Sequence, residues 1–329
     1  MTLLLAAPEL SRQRRSRTQS SPRQPFTDRF VTADGAPRAQ VPFSGLRTLW
    51  INTGTQCNIE CLNCYIKSSP TNDSLVYVTM DDALPHLDDA KAMGAEEIGF
   101  TGGEPFLNPH ATDLIEAALS RKFSVLILTN AMRPMMRPRI QDNLIRLKEK
   151  YSEQLKLRVS LDHYTENGHD AERGKGAFKH AMQGIHWLLA NGFNVSIAGR
   201  MGSEVTQDEA KARAAYDELF KSRDFPIDSY SKQLVLFPEM DDTETTPEIT
   251  DACWSITGVK PETMMCSSSR MVVRRRGSHA ATILACTLIT ETPEFELGRR
   301  IEDTLDPISL NHPHCSRFCV LGGASCSGG

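Results

Sequence analysis

Six short runs rich in β-forming residues alternate with amphipathic stretches along the middle of the chain, and no other feature narrows the fold as far. The runs are Arg47–Ile51, Glu97–Phe100, Ser124–Thr129, Leu157–Leu161, Val195–Ala198 and Leu234–Phe237. Between them apolar residues return with helical spacing. Ala111, Leu114, Ile115 and Ala118 form one stripe, behind Asn108 as N-cap and Pro109 at the first helical position. Phe178, Ala181, Met182, Ile185 and Leu189 form another, stopped by Asn191-Gly192. Leu84–Met93 and Ile140–Lys150 supply two more, and Thr206 with Glu209 reads as a capping box opening a fifth. Alternation of this kind builds parallel strands joined by right-handed crossovers. A complete eight-fold barrel takes about 250 residues, whereas only about 190 lie between Leu46 and Pro238. The expected fold is therefore α/β: a partial (β/α)6 TIM-like barrel with a small Cys-rich C-terminal extension. Chemistry on such sheets gathers at the carboxyl ends of the strands, so a motif that directly follows a strand carries weight.

The 329 residues carry a net charge of -4, so no overall basic field points to nucleic acid. No aliphatic run approaches the ~20 residues that span a bilayer. Near the start, Arg12 to Arg29 includes six arginines and a single acid, Asp28, among Ser, Gln and Pro. An organelle-targeting peptide has a similar look, but the composition fits a solvated, disordered leader. The expected organisation is a leader over residues 1–45, a barrel over 46–247 and an extension over 248–329.

Nine cysteines without a secretion signal point to reduced thiols engaged in metal or redox work in a cytoplasmic protein. Cys57, Cys61 and Cys64 crowd together just past the first strand. The others, Cys253, Cys266, Cys286, Cys315, Cys319 and Cys326, all fall in the last quarter. Soft thiolates suit zinc or iron–sulfur clusters. Structural zinc takes four ligands, and no fourth Cys or His follows the first group closely. A four-iron cluster on three cysteines leaves one iron open to a cofactor or substrate. Zinc completed from the C-terminal cysteines, and simple buried thiols, are the other readings of this group. One strand later stands Thr101-Gly102-Gly103-Glu104-Pro105. Its glycines let a backbone approach a ligand, and Pro105 holds Glu104 extended with a defined direction for its carboxylate.

Cys57-x3-Cys61-x2-Cys64 followed by Gly102-Gly103-Glu104-Pro105 resembles the radical S-adenosylmethionine (SAM) enzymes. The resemblance spans about Leu46 to Pro238. It implies a partial barrel with a 4Fe–4S cluster on the three cysteines, whose fourth iron binds the amino and carboxylate groups of SAM. Reduction then cleaves SAM to methionine and a 5′-deoxyadenosyl radical that takes hydrogen from substrate. By the same resemblance Glu104 and the loop carbonyls meet the SAM ammonium, and Thr129-Asn130 faces the cleft. Ser160 and Asp162 lie where ribose contacts fall, and Arg200 pairs with the SAM carboxylate. His169-Asp170-Ala171-Glu172-Arg173-Gly174 is similar to a loop of peptide- and small-molecule-modifying members, with no role assigned. One position departs from the pattern. The residue before the third cysteine is usually aromatic and packs on adenine; here it is Asn63, with Tyr65 after the cysteine.

The C-terminal cysteines resemble the auxiliary-cluster extensions of the same superfamily, SPASM and Twitch. Cys266, Cys286, Cys315, Cys319 and Cys326 are too few for two fully ligated four-iron clusters, so a single auxiliary 4Fe–4S cluster is expected. Cys266 and Cys286 would supply two ligands and two of the last three the rest, with Cys253 a packed thiol. A structural zinc site is the rival, helped by His312 and His314. Arg274-Arg275-Arg276 reads as a solvated face or as a greeting for an anionic substrate. The expected partners are an electron donor of flavodoxin or ferredoxin type and a peptide, cofactor-precursor or small-molecule substrate, with no nucleic acid and no membrane. A metal-binding interaction protein without catalysis is the alternative from another class.

Overall fold

A computed structural model describes residues 24–201, 208–238 and 246–323. Nine strands form one sheet. Six of them are parallel neighbours in chain order: β2 (Thr48–Asn52), β3 (Glu97–Thr101), β4 (Ser124–Thr129), β5 (Leu155–Ser160), β6 (Asn194–Met201) and β7 (Leu234–Pro238). Helices α1 (Met80–Ala92), α2 (Ala111–Ser120), α3 (Pro138–Tyr151), α5 (Ala177–Ala190) and α6 (Glu209–Ser222) make the crossovers, and a short α4 (Glu166–Arg173) precedes α5. This is the expected partial barrel.

Side-chain alternation separates two cores, as the period of a strand requires. Leu49, Ile51, Ile98, Phe100, Val125, Ile127, Leu157 and Val159 pack outward against the helices. Trp50, Leu126, Met271 and Leu284 point the other way and form an inner core with Phe318. Gly99 is required by this packing. A Cβ there would stand 2.3 Å from the Trp50 ring, so only glycine lets the indole lie across β3.

The C-terminal region does more than append to the barrel. Strand β8 (Ser269–Val273) pairs in parallel with β2, and β9 (Thr282–Leu284) and β10 (Glu296–Gly298) extend the same sheet antiparallel. A π-helix, Cys315–Leu321, follows.

The described part of the leader corrects the expectation that structure begins near Leu46. β1 (Gln40–Val41) pairs with β11 (Ile308–Ser309), Ala39 and Val41 are buried, and buried Arg38 forms an ion pair with Glu248. Apolar side chains at Ala39 and Val41 outweigh the polar composition of the segment around them. Asn108 is also not the N-cap of α2, whose N-cap is His110. Its Oδ1 accepts from the His110 N–H at 2.8 Å, and its Nδ2 donates to the carbonyls of Thr53 and Val78. Pinning two loops uses the amide more fully than a cap. Thr206 lies outside the described residues, and Asp208 caps α6 by accepting from Ala210 N–H. No helix among the described residues is long and apolar enough to cross a membrane.

Candidate functional site

At the carboxyl ends of β2 to β7 a cavity of about 160 Å³ opens, and Cys57, Cys61 and Cys64 all line it. Thr101, Gly102, Gly103, Asn130, Ser160, Asp162 and Arg200 line it too, so most of the expected cofactor residues converge there. The glycine loop is pressed against the cysteine loop. Gly103 N–H donates to the Gly54 carbonyl at 2.8 Å, and a Cβ on Gly103 would come within 2.1 Å of the Gln56 carbonyl oxygen.

Glu104 and Pro105 stand behind this chamber rather than on its wall. The Glu104 carboxylate accepts from Thr129 Oγ1 at 2.9 Å, from Asn130 N–H at 2.9 Å and from Phe106 N–H at 3.3 Å. It is turned into its own fold, so the exposed face of the loop is Gly102-Gly103. Burial pushes the Glu104 carboxyl up to about 7, against those three hydrogen bonds. Asn130 completes the clamp, donating through Nδ2 to Asn58 Oδ1 at 2.9 Å in the cysteine loop.

A charged network backs the thiols. Asp162 accepts two hydrogen bonds from Arg173, at 2.6 and 3.0 Å, and lies 3.5 Å from Arg200 Nε. Burial raises the Asp162 carboxyl, but the two guanidinium charges together hold it below its ordinary value. Arg200 donates to the Asn63 carbonyl at 2.6 Å and sits 4.6 Å over the Tyr65 ring. Asn63 itself turns away from the cavity. Its Nδ2 donates to Glu172 at 3.1 Å, while Leu62 N–H donates to the Glu172 carbonyl at 2.8 Å. The polar residue at the usually aromatic position is thus a latch between the cysteine loop and α4.

These contacts give the His169–Gly174 motif a local explanation. Asp170 caps the start of α5, accepting from Gly176 and Phe178 N–H, Glu172 latches the cysteine loop, and Arg173 lines the cavity. Sequence reasoning assigned nothing to Arg173 or to Arg158, which lines the cavity from β5. Arg158 alternates in phase with Ser160 on β5, and that shared face was the available signal.

The donor set fits a cluster. Among the described residues lining the cavity, the metal-binding side chains are the three thiols and Asp162, and Asp162 is held by two arginines. Burial pushes Cys57 up to about 12 and raises Cys61, with Arg173 opposing both. Metal binding must displace those protons.

A second chamber gathers Cys266, Cys286, Cys315 and Cys319 with His314, among Met264, Met265, Phe295, Ile308 and Leu310. Burial pushes Cys266 up to about 12, opposed by Arg270, whose Nη1 donates to the Cys266 carbonyl at 2.7 Å. Cys326 lies outside the described residues, and half-buried Cys253 packs on the edge of this region. Among the described residues no three Cys, His, Asp or Glu side chains converge on a single ion. Arg274, Arg275 and Arg276 are ion-paired with Asp82, Glu296 and Asp73 and line neither cysteine chamber.

Residues 51–213 match the radical SAM superfamily. The chain contains a radical SAM domain. Its cofactors are a 4Fe–4S cluster and SAM, and the first chamber is where this domain offers three thiols and a glycine cradle. The chain is 31% identical to the antilisterial bacteriocin subtilosin biosynthesis protein AlbA of Bacillus subtilis, over 44% of this chain and 30% of that protein. It is 26% identical to the mycofactocin maturase MftC of Mycobacterium ulcerans, over 42% of this chain and 35% of that one. These matches span about a third of the length of those curated relatives. The fold is similar to Streptococcus suis SuiB bound to SAM, with a TM-score of 0.56 and 14% identity over 78% of this chain and 63% of that one. It is likewise similar to anSMEcpe with bound SAM and the Kp18Cys peptide, with a TM-score of 0.56 and 15% identity over 80% of this chain and 81% of that one.

Proposed function

We propose that the protein is a radical SAM enzyme acting on a peptide, with an auxiliary 4Fe–4S cluster in the second chamber. The observation that carries the reading is the unequal donor count, three thiols at the strand ends and four in the chamber beside them. When bound, a reduced cluster and SAM supply one-electron cleavage of a carbon–sulfur bond and a 5′-deoxyadenosyl radical that abstracts hydrogen. The chain's own residues hold and shield that chemistry. Gly102 and Gly103 would offer backbone to the SAM amino group, Ser160 would meet its ribose, and Arg200, seated on Tyr65, would meet its carboxylate. Asp162 fixes both arginines. Trp50, Leu128 and Phe237 exclude water from the deeper wall, which suits an apolar side chain of the substrate.

Support for a peptide comes from the relative named for bacteriocin biosynthesis and from the peptide-bound structure that shares this fold. The electron is supplied by a flavodoxin- or ferredoxin-type donor, in the reducing cytoplasm where thiols persist. Anaerobically reconstituted protein, reduced with dithionite and given SAM, is expected to form deoxyadenosine and to carry about eight irons per chain. A deuterated peptide digest is expected to pass deuterium into that deoxyadenosine. Transfer only from a deuterated metabolite extract would overturn the peptide assignment, and no deoxyadenosine at all would overturn the enzyme.

A further inference from the structure

The partition between the two chambers is thin, and single segments face both ways. In Cys286-Thr287-Leu288, Cys286 lines the second chamber, Thr287 the first, and Leu288 both. In the π-helix, Phe318 lines the first chamber while Cys315 and Cys319 line the second. The Phe318 ring meets Tyr65 edge-on at 5.6 Å and Phe237 at 5.3 Å. Tyr65 follows the third cluster cysteine, carries Arg200 on its face, and donates to the Pro238 carbonyl at 3.1 Å. Phe318 therefore braces the side chain that seats Arg200 on the wall of the first chamber.

We propose that Phe318 is a coupling residue, through which occupancy of the second chamber sets the wall against which SAM binds in the first. The proposal rests on reading the second chamber as a cluster site. A π-helix is rare, occurs mostly as a single turn and is frequent at functional sites, so one seven residues long depends on what its side chains hold. Here they hold two things at once. A metal centre on Cys315 and Cys319 fixes the helix, and the helix fixes the ring. Neither Cys315 nor Cys319 lines the first chamber, so an effect of emptying the second on SAM binding passes through the partition on which Cys319 packs.

The test is a double-mutant cycle on reconstituted full-length protein. SAM affinity is read by anaerobic equilibrium dialysis, the SAM-induced change in the reduced first cluster by electron paramagnetic resonance, and iron is counted for every variant. Phe318→Ala is expected to keep about eight irons and Cys319→Ala about four. Each should weaken SAM binding about 3- to 10-fold, the worth of one aromatic contact. The double variant should be no weaker than either single, since both break one path. Cys286→Ser empties the same chamber from the other segment and serves if Cys319→Ala does not fold. Unchanged SAM affinity on emptying the chamber, or losses that multiply in the double variant, would overturn the coupling. Wild-type protein holding only about four irons would instead remove the cluster reading beneath it.

Discussion

The first chamber keeps its thiols among charges, with Arg158, Arg173, Arg200 and a single carboxylate, Asp162, on its wall. The second keeps four thiols among hydrocarbon, with Arg270 buried beside it and donating to backbone and hydroxyl oxygens of Cys266, Ser269 and Thr304. The contrast shows how surroundings sort similar ligands. Fixed charges at the strand ends suit a site that admits a charged cofactor, because the groups that meet it are already desolvated and oriented. An apolar shell with a full set of ligands suits a centre that admits nothing more, since solvent access and dielectric tune such clusters.

The sharpest break between the chambers is expected from their cysteines. Cys57→Ala should abolish deoxyadenosine formation, whereas Cys266→Ala should lose iron from the second chamber and retain the spectrum of the first cluster. Equal loss of both signals in each variant would erase the distinction. Next in size is Asp162→Asn, which leaves two buried guanidiniums sharing no carboxylate. Breaking a buried pair costs about 3–5 kcal/mol, read as a lowered urea midpoint. An unchanged midpoint would mean that the first chamber is wetter than its burial indicates.

Glu104→Gln should cost about 1–3 kcal/mol at pH 5, because its amide group faces N–H donors where an oxygen accepted. Its pH dependence carries the sign. A buried carboxyl raised to about 7 binds a proton that the unfolded chain has released, so wild-type stability falls relative to Glu104→Gln as pH rises from about 4.5 to 7. The gap between the two should narrow across that window and then stay flat; a widening gap would contradict the burial argument. Smallest of all is Arg276→Ala. Its pair with Asp73 is largely exposed and worth about 0–1 kcal/mol, so neither stability nor SAM affinity should move measurably.

Much of the fold was legible in the residues because parallel strands announce themselves locally. Leu157–Leu161 fell within two residues of β5 at either end, Val195–Ala198 lies inside β6 and stops three residues short of its end, and α5 ended at Asn191-Gly192 as its stripe foretold. Strands β8 to β10 escaped notice. Met271-Val272-Val273 is short, and its partner in β2 lies more than two hundred residues away, so no local period marks the pairing. Cys57, Cys61 and Cys64 were singled out by spacing and by standing past a strand, whereas Ser160 and Arg200 came from the resemblance; all five line the cavity. Glu104 was placed in the right loop and the wrong direction, because sequence cannot show that Thr129 and Asn130 claim its oxygens. Glu172 and Arg173 were invisible for a related reason: their work is done on Asn63 and Asp162, in other elements.

The pairing of β8 with β2 has a practical side. A chain trimmed after residue 247 would lose not a detachable lobe but the neighbour of the strand that leads into the cysteine loop. The bared edge would offer a row of unmet amides and carbonyls to any passing strand, the usual start of aggregation. Shortened versions should therefore fail in the test tube before their chemistry can be asked about.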